Sequence, residues 1–243
     1  MESPIETIDF LKRQTSNFEP QTPQLMAKKV KAPQIDWKEA IKPLLQKYKN
    51  RKHPLDADNL YQMLVVVVLS AQSTDDLINK IAPKLFEAFP DMKSLAKAQP
   101  EMLYPYIDKV RGSRKKAAWL VQIAKEVKTD ENIPLTIDQM IELPGIGRKS
   151  ANVIKRYAKA PAEGVIVDIH VLRVAPRLGI ATSDKADKIE KEVMEQLPKS
   201  EWDAGMAMSL LGREICRPKP LCPECLMNNV CAFYNGWVVN PKD

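Results

Sequence analysis

All four cysteines of the chain lie within sixteen residues near its C-terminal end, at Cys216, Cys222, Cys225 and Cys231, spaced C-x5-C-x2-C-x5-C. Thiols gathered this tightly describe a metal cage, because a disulfide framework scatters its cysteines along the chain. Four soft sulfur ligands suit either tetrahedral Zn²⁺ or an iron-sulfur cluster. Zinc ribbons and fingers usually set two short cysteine knuckles against each other, whereas here only Cys222 and Cys225 form a tight pair. Spacing alone leaves cluster and zinc both open. Four unrelated thiols are a smaller third possibility.

No cysteine stands outside the cage, which fits a reducing, intracellular compartment. The longest apolar run, Met63 to Leu69, is far too short to cross a bilayer, and the polar N-terminus does not read as a signal peptide, so no membrane partner is expected. At 243 residues and 44% hydrophobic content the chain can bury one sizeable core or two smaller ones. A formal net charge of +6 invites a polyanionic partner, but a merely basic soluble protein would carry the same charge.

Residues 1–33 mix Pro, Gln, Thr, Glu and Lys without periodicity and read as a tail, with the basic run Lys28, Lys29, Lys31 near its end. From Ile35 the pattern turns helical. Asp36 can cap a segment whose apolar positions Trp37, Ile41, Leu44, Leu45 and Tyr48 recur at helical spacing, and Pro43 predicts either a kink inside it or a different helix start. Leu120, Ile123, Ala124 and Val127 make one apolar face, and Ile189, Val193 and Leu197 another. The β-branched run Val65 to Val68 suits a strand or a helix buried on all sides, and nothing nearby pairs with it as a hairpin. The expected class is all-α.

In Leu143-Pro144-Gly145-Ile146-Gly147-Arg148-Lys149-Ser150-Ala151, two glycines flank one apolar residue between a proline and a helix-forming run. This predicts a tight hairpin leading into a helix N-terminus. Exposed amides, the positive end of the helix dipole and Arg148 and Lys149 then form an anion site suited to a DNA phosphate. A glycine-containing turn between two ordinary helices would read the same way.

The hairpin is followed by Val167-Asp168-Ile169-His170-Val171-Leu172-Arg173-Val174 and then the cage, and preceded by Leu69-Ser70-Ala71-Gln72-Ser73-Thr74-Asp75. In this order the four segments resemble endonuclease III, within the helix-hairpin-helix superfamily of DNA glycosylases, and the likeness covers roughly residues 53 to 235. The resemblance implies a two-lobed helix-hairpin-helix glycosylase fold with an iron-sulfur cluster loop. Its lobes would be a helical barrel at 53–160 that contains the hairpin and a cluster domain made of 34–52 with 161–243. It implies a [4Fe-4S] cluster on the four cysteines and a monomer acting inside the cell, in the cytoplasm or nucleoid if bacterial, on double-stranded DNA that contains damaged bases or abasic sites.

The same resemblance implies base-excision repair by a glycosylase that removes oxidised pyrimidines and cleaves the abasic strand by β-elimination. Lys149 would be the nucleophile that forms the Schiff base and Asp168 the carboxylate beside it. A lysine amine attacks only when unprotonated, and partial burial at a helix N-terminus favours that form. Gln72 would fill the gap left by a flipped nucleotide. Gly145, Gly147, Arg148, Ser150, Arg217 and Lys219 would hold DNA. His53 and His170 are read as structural. The related adenine glycosylases carry D-G-N where this chain has D-I-H and lack the hairpin lysine, so both motifs favour the bifunctional reaction.

Three departures stand out. The first cage loop, Arg217-Pro218-Lys219-Pro220-Leu221, is one residue shorter than the family pattern, and Lys149 and Asp168 lie one position further apart. Where the family carries large wedge residues, this chain reads Val110-Arg111-Gly112-Ser113-Arg114-Lys115-Lys116, small and basic, which predicts a different contact to the base opposite the lesion. Two other functions stay open: a non-catalytic DNA-binding module with a structural metal, and a zinc-containing nucleic-acid protein.

Overall fold

The computed structural model describes residues 30–238. Residues 1–29 of the expected tail lie outside that range. The first described residues form a two-residue strand, β1 (Val30–Lys31), which pairs in parallel with β2 (Trp237–Val238). Everything else regular among the described residues is helical. The Asp36 carboxylate accepts the Lys38 amide and opens α1 (Trp37–Ala40). Pro43, with no amide hydrogen to donate, sits in the first turn of α2 (Lys42–Tyr48), so the expected helix is broken at Ile41.

Short polar caps place the next boundaries. Asn59 accepts the Gln62 amide ahead of α3 (Leu60–Ser70), Thr74 accepts that of Leu77 ahead of α4 (Asp75–Ala88), and Asp91 and Ser94 exchange bonds at the start of α5 (Met92–Ala96). α6 (Pro100–Ile107) begins on a proline, and α7 (Ser113–Val127) follows Gly112, whose φ of +71° suits glycine. Thr136 caps α8 (Ile137–Glu142), which the glycine hairpin joins to α9 (Arg148–Tyr157). Then come α10 (Val171–Leu178), α11 (Ala186–Gln196), α12 (Ala204–Glu214) and α13 (Ala232–Asn235).

The Val65 to Val68 run lies in α3, buried on every side and packed by α4, α7 and α9. β-branched residues lower helix propensity by only about half a kcal/mol each, while full burial of a valine contributes roughly 1.5 kcal/mol or more, so packing decides. The two apolar faces read from α7 and α11 are buried as well. α5 and α6 pack on α7, α4 on α6, and α8 on α9. Beyond the hairpin, α10 packs on α11, α12 and α13. α2 joins that second group by packing on α12, where Tyr48 and Arg51 both bond Glu214. Polar ties between the two groups include Arg213 to Asp75 at 2.8 Å, Arg148 to Glu190 at 2.7 Å and Arg156 to Asp203, and one continuous buried apolar core runs through both. No helix among the described residues is long and apolar enough to cross a membrane.

Candidate active site

The hairpin takes its shape from its first glycine. Gly145 has a φ of +80°, and a Cβ there would stand 2.5 Å from the Trp119 ring, so both backbone and packing require glycine. Gly147 is different. Its backbone is extended, it occupies the N-cap of α9, and a Cβ would meet nothing within 4 Å. No side chain caps the first amides of α9, so they face open space at the positive end of the helix. Arg148 is partly committed elsewhere: its Nε donates to Glu190 at 2.7 Å, and Glu190 also accepts from Asn152 and the Val165 amide while itself buried. That ion pair ties the start of α9 to the loop that leads to Asp168.

Lys149, in the first turn of α9, is partly buried. Burial lowers its amine pKa from the ordinary lysine value, aided by the charge of Arg213, and the Asp168 and Asp75 carboxylates oppose the shift only in part. Asp168 is held at both oxygens. Oδ1 accepts the amides of His170 and Val171 at 2.9 Å and so caps α10, while Oδ2 accepts the Ser209 hydroxyl at 2.6 Å. Burial pushes this carboxyl up, but the Ser209 and Val171 bonds and the nearby His170 and Lys149 outweigh it, leaving its pKa below the ordinary value. The Arg213 guanidinium lies between Asp75, at 2.8 Å, and Asp168, at 3.9 Å.

Gln72 is exposed on the turn between α3 and α4 in a left-handed conformation, φ +57°, which a glutamine seldom adopts. His53 is held neutral: burial, then the charge of Lys149, brings its pKa to about 4, and its Nδ1 accepts the Leu55 amide. His170 Nδ1 lies 3.2 Å from the Arg173 guanidinium.

Cys216, Cys222, Cys225 and Cys231 all line one pocket. Among the described residues no three His, Cys, Asp or Glu side chains close on a single point as ligands of one metal ion do. Burial pushes the thiols of Cys222, Cys225 and Cys231 up, so a cationic metal centre would be needed to hold them as thiolates. Four thiols around one space fit a multi-iron cluster. Two arginines one turn apart on α10 anchor the loop. Arg173 donates to the Cys216 carbonyl at 2.9 Å, and Arg177 donates to the carbonyls of Arg217 at 2.7 Å and Pro218 at 3.2 Å while its guanidinium lies over the Phe233 ring. Arg217 bonds the Glu214 carbonyl through Nε, and its side chain and that of Lys219 are exposed.

Residues 65–199 match the family model described as the HhH-GPD superfamily of base excision DNA repair proteins. The endonuclease III of Thermotoga maritima is 36% identical over 179 residues, covering 72% of this chain and 83% of that protein. That of Synechocystis sp. is 33% identical over 182 residues, covering 73% and 83%. The chain belongs to the endonuclease III family. A solved structure of a trapped endonuclease III–DNA covalent intermediate, 30% identical, superposes with a TM-score of 0.74 over 84% of this chain and 98% of that one.

The endonuclease III resemblance and the all-α helix-hairpin-helix fold read from the sequence are thus both met. Several residues that shape the site carry no sequence signal of their own. Ser209 is a lone hydroxyl on the apolar helix α12, and Arg213, Glu190 and Arg177 belong to no motif read from the sequence. Lys116, expected on the basic surface of the wedge segment, is instead buried, with 4% of its surface exposed.

Proposed function

We propose that this endonuclease III family member excises oxidised pyrimidines from double-stranded DNA and cleaves the resulting abasic strand by β-elimination. The observation that carries this reading is the pairing of Lys149, an amine whose pKa burial lowers, with Asp168, a carboxylate whose hydrogen bonds keep it ionised. Lys149 attacks the sugar C1′ and displaces the damaged base, and the Schiff base that forms is the point from which the 3′ phosphodiester bond breaks. Asp168, with both oxygens already occupied, serves better as a fixed negative charge for the cationic sugar than as a strong base.

Flipping precedes chemistry, because a stacked nucleotide hides its glycosidic carbon. Gln72 fills the vacated space. The amides of the hairpin, with Gly145 and Gly147 keeping the backbone accessible, grip a phosphate together with Ser150 and the exposed part of Arg148, and Arg217 and Lys219 hold the backbone further along. The division into 53–160 and 34–52 with 161–243 fits the packing of α2 on α12. The enzyme works as a monomer where cellular DNA is. Borohydride trapping on duplexes carrying oxidised pyrimidines, oxidised purines, uracil or an abasic site tests the reading: covalent complexes and β-elimination products are expected on the oxidised pyrimidines and the abasic site. Tight binding with no trapped complex on any duplex would favour a non-catalytic DNA-binding module.

The four cysteines hold a [4Fe-4S] cluster in this reading. When bound, the cluster braces the loop that presents Arg217 and Lys219 to the DNA. Anaerobically purified protein is expected to contain about four irons per chain and to absorb near the blue edge of the visible. Stoichiometric zinc without iron would overturn the cluster.

A further inference from the structure

The basic segment before and within the first turn of α7 does not act as one charged patch. Arg114 leans on the Tyr104 ring and Lys115 on the Trp119 ring, both at the surface, but Lys116 turns inward. Its ammonium pairs with no carboxylate among the described residues. It donates instead to the carbonyls of Leu69, at 2.8 Å, and Ala71, at the C-terminal end of α3. Burying an ammonium without a counter-ion is unfavourable unless its donors are met, and the last carbonyls of a helix are unsatisfied acceptors at the negative end of its dipole.

Those carbonyls belong to the turn that presents Gln72. The Ser73 amide closes it on the Ser70 carbonyl at 2.9 Å, with Ala71 at φ −54° and ψ 117° and Gln72 in the left-handed region. Nothing in the glutamine itself favours that conformation, so the surroundings must hold it. Lys116 itself sits in the first turn of α7, where its amide makes the ordinary helix bond to the Gly112 carbonyl at 3.0 Å, so its side chain ties the helix start that follows the 110–113 bend to the Gln72 turn.

We propose that Lys116 is a positioning residue that locks the Gln72 turn to the 110–113 bend, so that both meet the DNA at a fixed separation while a nucleotide is extruded. This rests on the reading of Gln72 as the residue that fills the gap. Lysine suits the task because its three donors on a flexible stem can serve two carbonyls at once.

A double-mutant cycle tests it, using wild type, Lys116→Met, Gln72→Ala and the double variant in the cluster-loaded protein. The first readout is the fluorescence rise of 2-aminopurine placed opposite a tetrahydrofuran abasic analogue, which reports unstacking at the extrusion site. The second is borohydride trapping on single-stranded abasic DNA, where no stack has to be opened. Lys116→Met should lower the extrusion equilibrium by about tenfold and leave single-strand trapping unchanged, and in the Gln72→Ala background it should cost nothing further. Losses that add, or an equal loss on single-stranded DNA, would overturn the proposal by showing a merely structural role. Wild-type extrusion in Gln72→Ala would remove the reading of Gln72 itself, and the proposal with it; a deficit in Gln72→Ala with none in Lys116→Met would defeat the lock alone. If Lys116→Met does not fold, the cycle is run with Lys116→Gln, whose shorter side chain cannot serve both carbonyls, with the same outcomes decisive.

Discussion

Replacing Lys149 with glutamine is expected to reduce the borohydride-trapped complex on an oxidised-pyrimidine duplex to background while leaving DNA binding close to wild type. The two effects separate because they rest on different atoms. Covalent capture needs the Nζ lone pair, which glutamine lacks. The phosphate grip rests on the uncapped amides of α9 and the open face at Gly147, which the substitution keeps. Glutamine is also a good helix former, so the first turn of α9 should persist. Trapping of the Lys149→Gln variant at wild-type yield would assign the nucleophile to another amine. In the wild type, an unprotonated amine is required, so activity should rise with pH up to the pKa of Lys149. Burial lowers that pKa, so this limb should lie below the range of an exposed lysine. A limb at the ordinary lysine value would mean the amine is fully hydrated when it reacts.

Asp168→Asn should slow base release by on the order of 10² to 10³, the usual effect of losing one preorganised group that stabilises charge in a transition state. The cap of α10 should survive, because an asparagine Oδ1 still accepts the amides of His170 and Val171. Ser209 would have to turn its hydroxyl to accept from the new amide instead of donating. A second signature tells charge loss from misfolding. The Asp168 carboxylate raises the pKa of Lys149, so its removal should move the rising limb of the pH profile to lower pH even as the maximum rate falls. Single-turnover rates and a pH profile both matching wild type would leave Asp168 as a helix cap alone.

Much of this site is legible one segment at a time. The C-x5-C-x2-C-x5-C spacing confines the four thiols to one segment, the L-P-G-I-G run specifies a hairpin because glycine readily takes the positive φ found at Gly145, and Asp36, Asn59, Thr74 and Asp91 mark helix starts by bonds that reach two or three residues ahead. These features are local, so residue order alone determines them. Even the Val65 to Val68 run is settled as a helix once its neighbours bury all of its faces.

The tertiary structure decided how those pieces act on one another. Ser209 reaches Asp168 across 41 positions, Glu190 reaches Arg148 across 42, and Lys116 reaches Ala71 across 45. None of these pairs has a spacing that helical periodicity can encode, and a lysine in a basic run looks the same whether it faces water or a buried carbonyl. Composition and local pattern therefore determined the helical class and the gathering of the cysteines in one segment, while the family resemblance singled out Lys149 and Asp168. Which oxygen of Asp168 is held, how far burial shifts Lys149, and which basic side chain turns inward depend on helices brought together by packing, because desolvation and hydrogen-bond geometry are properties of the assembled core.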